Sequence, residues 1–454
     1  LTKQHSPMKY RNSTTSIRVI SQGQSQARFR MRTIAVVFFC ATVMSTTLIG
    51  CGLNSLSLPV TNPPQPRLTP ALTQTTTPLP TATDLSPSPT PVDPCALSEI
   101  ASSENMVIAF TGKWKNSDGI FTVHGDGSQR TLLAPQGFAP TWSPDGSRIA
   151  FLVKSAATRE VHFTNLNGTE ETRTAHLYEL HLVNPDATGE TVIPLGDVSP
   201  VPAGSSLALD WSPDSHKIVL TGETEDGSGI YLLNLEDQTL TNLAPPQKSN
   251  VGAMLARWSP DGQAIAFQTP FDGAQDSFFR ISVVGADSRN LRTLNSDTLA
   301  EMEPQWRPRH GTLLFISRAR GAAPQLFSMN PDGSDRRRLT NTEAEEKIAP
   351  VWSPNGEKIA YIGYQIASDS GSSSTKITER LYLLDGDGAD QEILLQDEVN
   401  SLTLRPPQWS PDSRYLAFAR GKADRFDLYV ADACTSKVQR VAQSVSDYSP
   451  SWSP

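Results

Sequence analysis

Trp142-Ser143-Pro144-Asp145-Gly146-Ser147-Arg148-Ile149-Ala150-Phe151 is the stretch on which the fold turns. It returns as WSPDSHKIVL at 211–220, WSPDGQAIAF at 258–267, WRPRHGTLLF at 306–315, WSPNGEKIAY at 352–361 and WSPDSRYLAF at 409–418, and the sequence closes on Trp452-Ser453-Pro454. Successive tryptophans at Trp142, Trp211, Trp258, Trp306, Trp352, Trp409 and Trp452 stand 69, 47, 48, 46, 57 and 43 residues apart. A period in that range marks stacked supersecondary units, here the blades of a β-propeller.

The chemistry of the phrase agrees. Pro144 presets φ, and Asp145-Gly146 tolerates the left-handed backbone of a tight reversal. The apolar strand Ile149-Ala150-Phe151 follows, and each unit then carries another apolar run, such as Ile230–Leu235 or Leu381–Leu384. Further Asp-Gly turns and a short closing segment give about four short antiparallel strands per unit, and no long stretch has helical period. The recurring tryptophan has two readings, a wedge between neighbouring sheets or an aromatic ligand platform; its recurrence at one place in every full copy favours packing.

A unit without its leading tryptophan precedes Trp142: Val107-Ile108-Ala109-Phe110, Ile120–Val123 and Arg130-Thr131-Leu132. The C-terminal Trp452-Ser453-Pro454 is the missing piece. The expectation is an all-β propeller closed by its C-terminus, which removes free sheet edges. Seven blades are favoured, at about 105–140, 141–209, 210–256, 257–304, 305–350, 351–407 and 408–450, with six as the alternative.

Trp-Ser-Pro-Asp-Gly followed by Ile-Ala-Phe resembles the TolB-type (PD40, WD40-like) propeller repeat, over roughly 105–454. The resemblance is specific for fold and much less so for function. It implies kinship with the TolB protein of the Tol–Pal envelope system, with the propellers of prolyl-oligopeptidase-like enzymes, and with bacterial lipoproteins that carry the propeller alone. TolB has a small α/β domain before its propeller, and the peptidases carry a Gly-x-Ser-x-Gly elbow. Neither stands in this sequence, which therefore looks like the stand-alone lipoprotein group.

The N-terminal region supports that last likeness. Met31 is a better initiator than Leu1, and an apolar core at Ile34–Ile49 follows Arg32. Leu48-Ile49-Gly50-Cys51 resembles the lipobox of bacterial lipoproteins, which implies a signal peptide within 1–50, lipidation of Cys51 and a palmitate-bearing membrane anchor. The alternative is an ordinary signal with a chance cysteine. Residues 51–94 interleave proline with Thr and Ser and form an extended, disordered tether. The propeller then occupies 95–454. With Cys40 in the signal and Cys51 lipidated, Cys95 and Cys434 remain; they form a disulfide bond or stand as two unrelated thiols.

A net charge of −8 and the lack of a long basic stripe exclude nucleic acid as a partner. Arg336-Arg337-Arg338 reads as solvated turn charge. His162, His176 and His181 lack metal-ligand spacing and read as ordinary surface or hairpin residues, and Asp385-Gly386-Asp387-Gly388 lacks the calcium-loop pattern. No catalytic, cofactor or metal residues stand out, so enzyme activity is uncertain and less favoured. Units two and six are long, with insertions at Lys154–Ala175 and Gln365–Thr378. Equivalent loops emerge on one end of the ring, where binding usually resides; the alternative is that both are tolerated insertions without a role. The expectation is a monomeric, lipid-anchored scaffold on the extracytoplasmic side of a bacterial cell envelope, binding a protein, peptide or glycan. The alternatives are a hydrolase or lyase in the channel, or a structural spacer.

Overall fold

The computed structural model describes Cys95 and residues 106–164, 170–201, 209–247, 253–271, 278–294, 300–319, 322–342, 344–368, 375–399, 402–422, 425–446 and 450–454. The expected leader and signal at 1–50, Cys51 and the tether through 94 lie outside these residues. No helix among the described residues is long and apolar enough to cross a membrane.

All named elements are strands. β1 (Val107–Trp114), β2 (Ser117–His124) and β3 (Thr131–Pro135) form an antiparallel meander. β4 (Gly137–Trp142), β5 (Ile149–Thr164), β6 (Glu170–Val183) and β7 (Thr191–Ile193) form the next sheet. In the third, β8 (Ser199–Pro200) and β9 (Leu209–Trp211) both pair with β10 (Lys217–Thr224), followed by β11 (Gly227–Asn234) and β12 (Leu240–Gln247). Another four-stranded sheet holds β13 (Met254–Trp258), β14 (Ala264–Phe271), β15 (Phe278–Gly285) and β16 (Arg292–Thr293). It is followed by β17 (Ala300–Trp306), β18 (Leu313–Arg318), β19 (Gln325–Met329) and β20 (Arg337–Arg338). Then come β21 (Glu346–Trp352), β22 (Lys358–Ser368), β23 (Thr375–Asp385) and β24 (Gln391–Val399). The last meander is β25 (Gln408–Trp409), β26 (Tyr415–Lys422), β27 (Arg425–Asp432) and β28 (Val438–Val445).

The final strand, β29 (Ser451–Trp452), does not continue that meander. It pairs with β1, placing Trp452 opposite Ile108 and Ser451 opposite Ala109. The C-terminus thus supplies the first strand of the first sheet, as the sequence predicts. A single pair, Gly112 opposite Val445, also joins β1 to β28.

The strand that opens each sheet touches its counterpart in the next: β9 meets β13, then β17, β21, β25, β29 and β4 in turn. These first strands make an inner ring. Apolar clusters form between adjacent sheets rather than within one. Leu152 and Leu182 pack with Trp211, Ile218 and Leu220, while Phe110 and Val123 pack with Ala417, Leu428 and Trp452. A short sheet has no partner for its faces except its neighbours, so burial itself drives the stacking.

The expected unit boundaries shift. The strand that opens a sheet ends on the tryptophan, so sheets begin earlier, at Gly137, Ala300 or Glu346, and Ile149-Ala150-Phe151 lies in the second strand of its sheet. The reason is local. Ala139, Leu255, Glu303 and Ala349, three residues before a tryptophan, have φ of 53°, 57°, 54° and 53°. Register shifts mark a bulge at each. Proline follows at Pro140, Pro304 and Pro350. A bulge and a proline erase the alternation by which a strand is recognised.

Candidate binding face and inner ring

The repeated turn is held by its own side chains. Ser143 Oγ donates to Asp145 Oδ1 at 2.6 Å and accepts the Arg148 N–H at 3.0 Å, while Asp145 Oδ1 accepts the Ser147 N–H. The serine–acid bond recurs at Ser212–Asp214, Ser259–Asp261 and Ser410–Asp412, and at Ser353 the amide oxygen of Asn355 takes the place of the acid. The Ser143 hydroxyl holds the Asp145 carboxyl below its usual range. Gly146 closes the turn with φ of 70°, where a side chain would be strained and would press on Pro454. The variant unit at Trp306 lacks this serine; there Arg307 Nε donates to Gly356 O at 2.9 Å and its guanidinium lies 4.8 Å over the Trp352 ring.

Trp211, Trp258, Trp306, Trp352, Trp409 and Trp452 are buried, and Trp142 is half-buried. Four of them tie one sheet to the one before. Trp211 Nε1 donates to Thr141 O at 3.2 Å, Trp306 to Arg257 O at 3.0 Å, Trp409 to Val351 O at 3.3 Å and Trp452 to Gln408 O at 3.0 Å. Each acceptor immediately precedes the previous tryptophan, so the indole crosses the gap between first strands. Side chains of the earlier sheet also accept from backbone N–H groups of the next. Asp210 Oδ2 accepts the Trp258 N–H at 2.8 Å, and Ser451 Oγ accepts the Trp142 N–H at 3.1 Å.

The bulges need caps, because their N–H groups leave the ladder. Thr111 Oγ1 accepts the Ala139 N–H at 2.9 Å, and Gln268 Oε1 accepts the Glu303 N–H at 3.0 Å. For Ala349 the acceptor is Glu303 Oε2, at 2.8 Å. Burial pushes the Glu303 carboxyl up to about 7, against the Ala349 N–H and Arg257. Burial also raises Asp210, against Arg257 and the Trp258 N–H. Asp210, Arg257 and Glu303 therefore form an ionisable group on three consecutive strands of the inner ring.

The opposite end from the Ser–Pro–Asp turns carries the links between second and third strands of each sheet. The two expected insertions lie there, as strand rather than loop. β5 and β6 stay paired from Ile149–Val183 out to Thr164–Glu170, with one irregularity between Lys154 and Thr158. β22 and β23 stay paired out to Ser368–Thr375. The tips at 165–169 and 369–374 lie outside the described residues. Arg159 braces the first hairpin on the neighbouring sheet, its terminal nitrogens donating to Glu223 O at 3.1 Å and Asp197 O at 2.8 Å. Tyr364, Ile377 and Val399 pack together beneath the second.

Ion pairs underlie this end: Arg318–Glu346, Arg336–Glu301, Arg380–Glu345 and Arg420–Asp397. Lys347 is fully buried and donates to three carbonyls, Pro324 O, Thr342 O and Glu345 O, and burial lowers it to about 8. Arg336 corrects the expectation of solvated turn charge. Its guanidinium lies 4.8 Å over Phe315 and 5.1 Å over Phe327 and faces Glu301, which has no exposed surface; Arg337 and Arg338 are exposed as expected, Arg337 paired in solvent with Asp335. His181 is likewise no surface residue. It is buried, 2.9 Å from Glu190 Oε1 and 3.4 Å from Glu179 Oε2, while His162 meets Thr172 Oγ1. No cluster of three His, Cys, Asp or Glu able to hold a metal occurs among the described residues.

Cys95 and Cys434 are joined by a disulfide, with Cα atoms 5.5 Å apart. Cys434 follows β27, at the end of the ring that carries the Ser–Pro–Asp turns. Cys51 lies outside the described residues. Sequence reading missed Asp210, Arg257, Glu303, Glu345 and Lys347. The one available signal was charge close before a tryptophan: Asp210 and Arg257 immediately precede one, and Glu303 stands in the same strand as Trp306.

Residues 211–370 match the family described as the TolB beta propeller domain (PD40). An uncharacterized protein of Agrobacterium fabrum, Atu1656, is 25% identical over 317 residues, covering 68% of this chain and 93% of the relative. The Tol-Pal system protein TolB of Coxiella burnetii is 28% identical over 120 residues, covering 26% of each. The uncharacterized peptidase YuxL of Bacillus subtilis is 28% identical over 149 residues, 28% of this chain and 22% of that one. The chain thus spans about a quarter of the length of the last two. Among solved structures, TolB from Acinetobacter baumannii superposes with a TM-score of 0.44 at 18% identity, covering 68% of this chain and 67% of that one.

Proposed function

Because the chain carries a TolB-type β-propeller, we propose that it is a binding scaffold whose contact surface is the end of the ring bearing the β5–β6 and β22–β23 hairpins. The observation that carries this reading is the common placement of both extended hairpins on one end of a rigid, latched ring. Ladder hydrogen bonds make them stiff platforms, suited to a protein, peptide or glycan of the cell envelope. We count seven blades, taking β29 with β1, β2 and β3 as the first. Lipidation at Cys51 and the tether of 51–94 hold the scaffold on the extracytoplasmic side of a membrane. The disulfide supports this arrangement, since it fastens Cys95, at the base of the tether, to the end opposite the hairpins.

A photo-crosslinking residue placed at exposed Ile366 on β22 should capture a specific envelope component. The same residue at exposed Leu291, at the opposite end, should not. Replacing residues 155–177 by an Asn-Gly turn should reduce capture. Equal adducts at both positions, or none at either, would overturn the reading. Palmitate labelling of the chain and of Cys51→Ala tests the anchor; label in neither, or in both, removes it.

Glu303 supports a second reading, a hydrolase or lyase acting in the channel. A carboxyl titrating near neutrality beside Arg257 on the inner ring suits general acid–base work. A turnover of peptide or glycan that survives Glu303→Gln unchanged would exclude it.

A further inference from the structure

Arg130 precedes β3 and is half-buried against aromatic rings. Its guanidinium lies 5.1 Å over Phe110, 4.8 Å over Phe121 and 5.3 Å over Trp114. One terminal nitrogen donates to Gln443 O at 3.0 Å and the other to Lys113 O at 3.3 Å. Among the described residues no carboxylate pairs with it, and its buried Nε–H has no acceptor. Several other half-buried arginines among the described residues have an acid: Glu346 for Arg318, Glu345 for Arg380, Asp432 for Arg414, Asp397 for Arg420. Arg336 is the nearest analogue, stacked on Phe315 and Phe327 as Arg130 stacks on Phe110 and Phe121, and Arg336 faces Glu301. Partial burial of an unpaired cation is costly, and burial accordingly lowers the Arg130 pKa.

Two lysines stand beside it. The β1–β2 turn is fixed by Lys115 and Asn116 at φ of 48° and 66°, the left-handed pair of a tight hairpin. It displays Lys113 and Lys115 on either side of Trp114, with Lys115 Nζ 4.2 Å over the ring. The nearest acid is Asp118, whose Oδ2 lies 3.4 Å from Lys113 Nζ in solvent. Three cations thus share one hairpin tip in a chain of net charge −8.

We propose that this tip, formed by Lys113, Lys115 and Arg130, is a binding site for a phosphate ester, which supplies the counter-ion that Glu301 supplies to Arg336. Two of the five guanidinium N–H groups are committed to carbonyls; the free N–H groups of the terminal nitrogens can engage phosphate oxygens, with the lysines as flanking point charges. The site lies at the hairpin end of the ring and does not depend on the scaffold reading.

The test titrates the unlipidated full chain with glycerol 3-phosphate by calorimetry. It also floats the chain with phosphatidylcholine vesicles with and without phosphatidylglycerol. Saturable binding of the soluble ester alone identifies a soluble or polymeric phosphate ester as the source. Binding only to the anionic vesicles identifies a lipid headgroup. In whichever arm binds, Arg130→Gln should weaken affinity at least tenfold and the Lys113→Gln, Lys115→Gln double variant severalfold, while Asp118→Asn should strengthen it. The double variant leaves the aromatic cage intact, so it stands even where Arg130→Gln perturbs folding. Binding in neither arm, or a double variant with wild-type affinity, overturns the proposal.

Discussion

Glu303→Gln isolates one half-buried carboxyl. In the folded chain burial raises Glu303 from 4.5 to about 7. The folded state therefore holds this proton more tightly than the unfolded state. Its contribution to stability is complete below about pH 4.5, declines as pH rises through 7, and is gone above that. The gap between 4.5 and about 7 corresponds to roughly 3 kcal/mol. Glutamine carries no such charge and keeps an oxygen for the Ala349 N–H. Urea unfolding of the full chain and the variant, at intervals from pH 4.5 to 8.5, should show the variant gaining on the wild type by about 2–3 kcal/mol across that range. Taking the difference cancels every other titrating group. Parallel profiles would refute the raised carboxyl of Glu303 and with it the latch to Ala349.

Three further perturbations probe the ring. Trp452→Ala should cost about 3–5 kcal/mol in urea unfolding, whereas Val192→Ala, at an exposed site, should change stability by under about 0.5 kcal/mol; similar effects would deny that β29 closes the first sheet. Arg336→Met leaves Glu301 buried without its cation and should cost about 3–5 kcal/mol, against less than about 1 kcal/mol for Arg337→Met, measured the same way. Cys434→Ser should lower the thermal midpoint by an amount equivalent to about 2–5 kcal/mol; an unchanged midpoint would mean that the disulfide constrains nothing that unfolds.

The repeats and the closure were legible because Trp-Ser-Pro-Asp-Gly carries its own local physics. The serine, the acid and the glycine each serve the turn in which they stand, so a single copy can be read alone. The inner strands were not legible. Ala139-Pro140 and Glu303-Pro304 look like loop in sequence, since a left-handed residue before proline hides a strand that only the neighbouring sheet completes. The ion network was hidden for a related reason. Arg336 and Glu301 lie 35 residues apart, and nothing in the local run Arg336-Arg337-Arg338 distinguishes the stacked arginine from the solvated one. The two hairpins were legible as extra length at the right place, though not as continued ladder, because Lys154–Ala175 and Gln365–Thr378 are mostly polar and carry only a few scattered apolar residues.

Pairing of Ile108 with Trp452 has a consequence for how the ring folds. The innermost position of the first sheet is filled by a strand that lies beyond all the other sheets in sequence. Contacts this remote in sequence form slowly, because the intervening chain must be ordered first. Sealing of the circle therefore waits on the ordering of every sheet between the two strands, and a chain that has not made this contact is an open arc.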